Sequence, residues 1–381
     1  MDILEMLTKL VSFDSQSQVS NRSITDFICS LLLAAGFQQE DISVTSNGPP
    51  GIEKCNIIAR KGKGENALML AGHMDTMPAG NGWKTKPLEL TLREGRLYGL
   101  GAVDMKAFLA AAIKTAEQFL AEQLTRPLVL VFTCDEEIGL LGAKHLKRDK
   151  LLAGIRYGII GEPSGLCPAR MHKGYIRAQA IVRGRSGHSS NPQKGINAIE
   201  KACQLIAALT AYRDGLKDYN NPGLEPPYPT LNIGAINAGG KETNRVPDEC
   251  RLRFDIRPIP GQDVEEIVED LKAMADKLGM VGDKPGAEIQ LLSKPTWAME
   301  TPASSLIVQV AEKVTGKKAG SVPYSTEATV FNAAGLETVI LGPGSIDQAH
   351  KPNEFVEQRY LNETVETLRQ IVQQLCCFEG R

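Results

Sequence analysis

The sequence predicts an α/β catalytic fold built on an open mixed sheet and interrupted by an inserted ferredoxin-like α+β domain. Three observations carry that expectation. Apolar runs alternate with helical ones up to about residue 173, the pattern changes at Gly174, and the alternation of apolar and helical runs resumes near Ser293. The expected boundaries are 1–173 for the first part of the catalytic domain, 174–292 for the insertion and 293–381 for the second part. At 381 residues and 42% hydrophobic content, the chain is long enough for two or three domains with ordinary cores.

The elements follow in order. Helical patterns cover the first ten residues and 26–35. Three buried strands are expected, at Asn66-Ala-Leu-Met-Leu-Ala-Gly, Pro127-Leu-Val-Leu-Val-Phe-Thr and Tyr157-Gly-Ile-Ile-Gly, with an Ala- and Leu-rich helix at 106–122. The insertion opens on the alternating Tyr175-Ile-Arg-Ala-Gln-Ala-Ile-Val-Arg-Gly, whose period of two leaves one face free for solvent or a partner. A helix at 195–212 follows, then Pro222, Pro226, Pro227 and Pro229, strands at 230–236 and 250–256, a helix at 264–278 and a strand at 287–292. Strand-helix-strand-strand-helix-strand is the order of a split βαβ unit. A helix at 304–314 and a strand within Thr338-Val-Ile-Leu-Gly-Pro-Gly resume the catalytic domain.

Composition excludes several functions. With 43 basic and 45 acidic residues the net charge is -2, which offers no footprint for nucleic acid or an anionic membrane and leaves a small-molecule substrate as the expectation. No run reaches the roughly 18 apolar residues of a spanning helix, and the N-terminus lacks the basic region of a secretory signal, so a cytoplasmic protein is expected. The eight cysteines form no C-x-x-C pair or regular spacing, which points to free thiols.

Five candidate metal ligands stand out: His73, Asp104, Glu137, Glu162 and His350. Four of them lie where an apolar run gives way to a loop, and the carboxyl ends of strands are where open α/β sheets gather their ligands. Each has a plainer reading when taken alone. His73 reads as a core histidine, Asp104 as a helix N-cap, and Asp135-Glu-Glu as a solvated loop. The glycines of Gly99-Leu-Gly-Ala-Val-Asp lack the third glycine of a dinucleotide loop. Taken together, two imidazoles and three carboxylates without a thiolate favour two divalent ions, zinc first, with cobalt or manganese as alternatives. The implied chemistry is metal-assisted hydrolysis. A non-catalytic metal-binding module is the competing class, and the extra carboxylate Glu136 argues against it.

His73-Met-Asp-Thr-Met-Pro, Gly99-Leu-Gly-Ala-Val-Asp-Met-Lys, Asp135-Glu-Glu, Gly161-Glu-Pro-Ser, Ser186-Gly-His-Ser-Ser and Gln348-Ala-His resemble the ordered motifs of the M20 metallopeptidase and deacylase family. The resemblance runs over essentially the whole chain. It implies that Asp104 bridges the metals, with His73 and Glu162 on one ion and Glu137 and His350 on the other. Glu136 would be the general base and Asp75 would orient His73. His188 would reach the partner subunit's site in a homodimer paired through the inserted domain, although a plain surface-loop residue is the alternative. Arg257, Asn244 and Thr326 match positions that contact an N-acyl amino acid substrate, with an Arg257–Asp255 ion pair as the competing expectation. Met74 and Met77 stand where smaller residues are usual, leaving every ligand in place.

Overall fold

The structure is a computed structural model and describes residues 1–240 and 243–377; residues 378–381, the end of the expected second catalytic segment, lie outside it. Two compact units form. The first comprises Met1–Arg170, Glu300–Gly320 and the described residues from Thr326 on, and the second the described residues of Met171–Met299 with Ser321–Ser325.

In the first unit, the strands Leu128–Thr133, Ala67–His73, Ile155–Pro163 and Glu337–Gly342 lie side by side in that order, all parallel. Lys54–Lys61 joins antiparallel beside Leu128–Thr133, followed by Ile42–Asn47, so the sheet is mixed. Every residue of Ala67–His73 and Leu128–Thr133 is buried, as expected of parallel strands covered on both faces. Only one residue in six is polar in the second of these, and burial rather than alternation dictates its composition.

The helix Ala107–Ala116 packs nine of its ten residues into this core. It is shorter than the sequence pattern at 106–122, because Phe119 turns inward and a short 3-10 turn, Ala121–Gln123, redirects the chain towards Pro127. Gly161 allows the helix to approach the sheet, since a Cβ there would sit 1.9 Å from the Phe108 ring.

The second unit orders its strands Thr230–Ala238, Glu249–Arg257, Ile176–Arg183 and Ala287–Leu291, every neighbour antiparallel. Numbered along the chain this is 2-3-1-4, the arrangement of a ferredoxin-like sheet. The helices Ala198–Gly215 and Val264–Asp276 bury Leu205, Leu209, Ile267 and Leu271 against its apolar face. Glu249–Arg257 alternates strictly, with Cys250, Leu252, Phe254 and Ile256 facing the core. All eight cysteines are free.

Candidate metal and catalytic centre

Because the four parallel strands run the same way, their carboxyl ends bring His73, the turn at 135–137, Glu162 and the approach to His350 to one edge. Asp104 reaches the same place from a turn that begins with Gly101 at φ +72°. It does not cap a helix: its backbone is extended, at φ -121° and ψ 83°, and the helix starts at Ala107.

The Asp104 carboxylate lies between the two histidines. Its Oδ1 is 3.0 Å from His73 Nε2, and its Oδ2 is 3.1 Å from His350 Nε2. Glu137 approaches His350 Nε2 at 2.9 Å, and Glu162 lies 3.8 Å from His73 Nε2. Donor atoms of His73, Asp104 and Glu137 fall within 4.8 Å of one another, as do those of His73, Glu136 and Glu162. The His73 side chain is 1% exposed and that of His350 is 49%, so the centre is sealed on one side and open on the other.

Such crowding of carboxylates perturbs them. Burial pushes Glu136 and Glu162 well above the ordinary carboxylate range, with nearby carboxylates adding to it and His73 opposing. Glu137 is raised by burial against its hydrogen bond with His350. For Asp104 burial acts upward too, but the hydrogen bonds and charges of His350 and His73 hold it below its usual value. The bonds to Asp104 and Glu137 hold His350 up at about 10. A set of hard oxygen donors with two imidazoles, packed this tightly, fits divalent cations.

Asp75 touches His73 through its backbone and the glutamate turn through its carboxylate. The ring nitrogen Nδ1 of His73 meets the backbone carbonyl of Asp75 at 2.9 Å, while the nearest carboxylate oxygen is 3.6 Å away. That carboxylate instead accepts the backbone N–H groups of Glu136 and Glu137, at 3.1 and 3.3 Å, and the Ser17 hydroxyl at 2.8 Å. It thereby sets the turn that presents both glutamates. The turn also rests on Lys54, whose Nζ is 2.9 Å from Asp135 Oδ1, and on the Asn56 side-chain carbonyl oxygen, which accepts the Cys134 N–H at 3.0 Å. Asp135 adopts φ +53°, in the left-handed region where non-glycine residues are uncommon. The carbonyl of Glu136 closes the turn by accepting from Gly139 and Leu140.

Glu354, which no sequence motif singles out, is 3% exposed and accepts three amide N–H bonds from the turn bearing Asp104. Burial and the Asp104 charge push it up to about 8 against those bonds. The one signal for it in the sequence is its place four residues after His350, in His350-Lys-Pro-Asn-Glu. Glu327, in Ser325-Thr-Glu-Ala, is another buried carboxyl, and burial raises it to about 7.

The remaining candidates are distributed between the units. Thr326, fully buried in the first, accepts the Ala328 N–H at 3.1 Å. In the second, His188 is exposed on the short strand Gly187–His188, paired with Arg245–Val246. Its Nδ1 lies 2.8 Å from the Ser190 hydroxyl oxygen and 3.2 Å from the Ser190 backbone nitrogen. The carbonyl of Asn244 accepts the Ser189 N–H. Arg257 Nε donates to Asp255 at 2.8 Å, so the ion pair forms. His172 is a buried ring bonded to the Lys173 carbonyl and held down at about 4 by burial. His145, on the helix Leu141–Arg148, is half-buried.

Residues 69–374 match the model of peptidase family M20/M25/M40. The chain is 39% identical over 372 residues to an acetylornithine deacetylase of Proteus mirabilis, covering 96% of this chain and 93% of that protein. Against an acetylornithine deacetylase of Pasteurella multocida the identity is 38% over 389 residues, with 98% of each covered. Among solved structures, a tripeptidase from Staphylococcus aureus superposes with a TM-score of 0.76 at 22% identity, covering 98% of this chain and 97% of the other. A dinuclear metal binding peptidase from Bacillus subtilis gives 0.67 at 15%, covering 97% and 96%.

Proposed function

Since the chain belongs to peptidase family M20/M25/M40 and is a metal-dependent amide hydrolase, we propose that its substrate is N2-acetyl-L-ornithine, cleaved to acetate and L-ornithine in arginine biosynthesis. The observation that carries the catalytic reading is Asp104 lying between His73 and His350, with Glu136, Glu137 and Glu162 around them. The substrate reading is supported by identity to acetylornithine deacetylases over nearly the whole chain. Segments such as Ser325-Thr-Glu-Ala and Leu341-Gly-Pro-Gly-Ser-Ile-Asp-Gln-Ala-His-Lys-Pro agree with it.

His73 and Glu162 would hold one divalent ion and Glu137 and His350 a second, with Asp104 shared; zinc is the first choice, cobalt and manganese the alternatives. Bound there, such ions polarise a carbonyl and bring the pKa of a water towards neutrality. Glu136 takes a proton from the attacking water and delivers it to the leaving amine, a double role suited to a carboxyl already raised by burial. Asp75 would orient His73, whose Nδ1 meets the Asp75 backbone carbonyl, and its carboxylate steadies Glu136 by accepting that residue's backbone N–H. His188 would stabilise the developing oxyanion in the partner subunit of a homodimer joined through the inserted domain. Arg257 would bind the substrate α-carboxylate, with Asp255 fixing its plane, and Asn244 and Thr326 would line the substrate. A cytoplasmic location completes the proposal.

The test strips the protein with a chelator, restores zinc or cobalt, and follows acyl release from N2-acetyl-L-ornithine, N-succinyl-diaminopimelate and other N-acetyl amino acids, with Glu136→Gln as control. Metal-dependent turnover that favours acetylornithine and falls by about 10²- to 10⁴-fold in the control is the expected result. Preference for another acyl amine overturns the substrate, and retained activity in Glu136→Gln overturns the base.

A further inference from the structure

We propose that Glu354 is a positioning residue for Asp104, holding the turn at 101–104 in the conformation that sets the Asp104 carboxylate between His73 and His350. The inference rests on the reading of Asp104 as a shared metal ligand. Glu354 Oε2 accepts the Gly101 N–H at 3.0 Å, and Oε1 accepts those of Val103 and Asp104 at 2.9 and 3.2 Å. Its own carbonyl accepts the Gly99 N–H at 3.1 Å. Three amides of the turn and that of Gly99 just before it therefore end on one residue some 250 positions away in sequence.

The register that brings them together is fixed from outside the turn. Immediately after Glu354, the strand Phe355–Glu357 pairs antiparallel with Arg96–Tyr98, Phe355 opposite Tyr98. Glu354 thus faces the chain just where it leaves that strand for Gly99. On the other side His350, at φ +57°, supplies its imidazole to the same Asp104. A single segment, 350–354, contacts Asp104 at both ends, its carboxylate through His350 and its backbone through Glu354. A carboxylate buried beside another would be disfavoured unless its acceptor geometry were needed, and the three N–H groups use both of its oxygens.

Glutamine keeps the shape and can still accept from Val103 and Asp104, turning only its NH₂ towards Gly101. Aspartate keeps the charge but falls a methylene short. The two substitutions therefore separate positioning from mere negative charge. Co²⁺ is titrated into metal-stripped wild type, Glu354→Ala, Glu354→Gln and Glu354→Asp, with affinity read by calorimetry and coordination by the visible Co²⁺ spectrum. Denaturant midpoints of the stripped proteins separate loss of fold from loss of the site. Alanine and aspartate are expected to weaken Co²⁺ binding roughly 10- to 100-fold with an altered spectrum, glutamine retaining more affinity than either. Wild-type affinity in the alanine variant, or rescue by aspartate and not by glutamine, overturns the proposal. Should the alanine variant not fold, the glutamine and aspartate pair decides alone. Absence of Co²⁺ binding by the wild type overturns instead the metal reading on which this one rests.

Discussion

Replacing Lys54 with methionine removes one half of a buried ion pair while keeping the length of its apolar stem. The partners are 2.9 Å apart, with side chains 3% and 7% exposed. At that distance the attraction is about 6 kcal/mol for an effective dielectric of about 20, partly offset by the desolvation of both ions. Without Lys54 the Asp135 carboxylate stays buried and unpaired, and the penalty is capped by the free energy of protonating it. Taking the ordinary carboxyl value of 3.8 and about 1.36 kcal/mol per pH unit, the cap is about 5 kcal/mol near pH 7.5 and about 2 near pH 5.5.

The sign follows from linkage. Burial already raises Asp135, with Lys54 opposing, and a carboxyl raised in the fold favours the folded state in acid and loses that contribution as pH rises through the folded value. Removing Lys54 raises it further. The variant should thus be destabilised by about 3–5 kcal/mol near pH 7.5, and by about 2–3 kcal/mol less near pH 5.5. Denaturant unfolding of Lys54→Met, Asp135→Asn and the double variant at both pH values measures this, the double recovering about 2 kcal/mol relative to Lys54→Met at the higher pH. A pH-independent loss, or additive single effects, would refute the idea that this pair balances the turn carrying Glu136 and Glu137.

His188→Ala should lower kcat by roughly 10²- to 10³-fold while bound metal stays unchanged, measured by steady-state kinetics beside metal analysis. Metal binding to stripped protein near neutral pH should release protons, because His350 is held at about 10 by Asp104 and Glu137 and must shed its proton to ligate. Calorimetry in two buffers of different ionisation enthalpy reports that release. Gly161→Ala should lose about 1–3 kcal/mol in denaturant unfolding, since the added methyl would lie 1.9 Å from the Phe108 ring and the helix would have to shift away.

Much of the first unit is legible in the sequence because burial on both faces leaves uninterrupted apolar runs, and 67–73, 128–133 and 337–342 are such runs. His73, Glu136, Glu137 and Glu162 are readable as candidates because each lies at the end of a run or within a few residues of it. The insertion is legible for a different reason: Glu249–Arg257 alternates, and the order of the insertion's elements admits few pairings. What escapes are residues whose partners are backbone amides or distant side chains. Lys54 reads as a polar strand residue until Asp135 is found beside it, and Glu354 as a loop acid until the amides of 101–104 point at it. The Asp75 carboxylate is expected on His73, because two residues on one strand face are near neighbours. A sharp turn at Asp135 brings closer donors to it, the N–H groups of Glu136 and Glu137.

The parallel order of the four central strands also sets a timetable. Three of them, with His73, Glu136, Glu137 and Glu162, precede the insertion in sequence, while Glu337–Gly342, His350 and Glu354 follow it. A ribosome therefore releases most of the acidic cluster well before the chain emerges that contributes the second imidazole and the acceptor for the Asp104 turn. Until residue 354 is free, those carboxylates have neither His350 beside them nor a fixed Asp104 between them. A nascent chain halted within the insertion would carry a half-built acidic pocket, and a frameshift before residue 350 would remove both His350 and Glu354 from the centre.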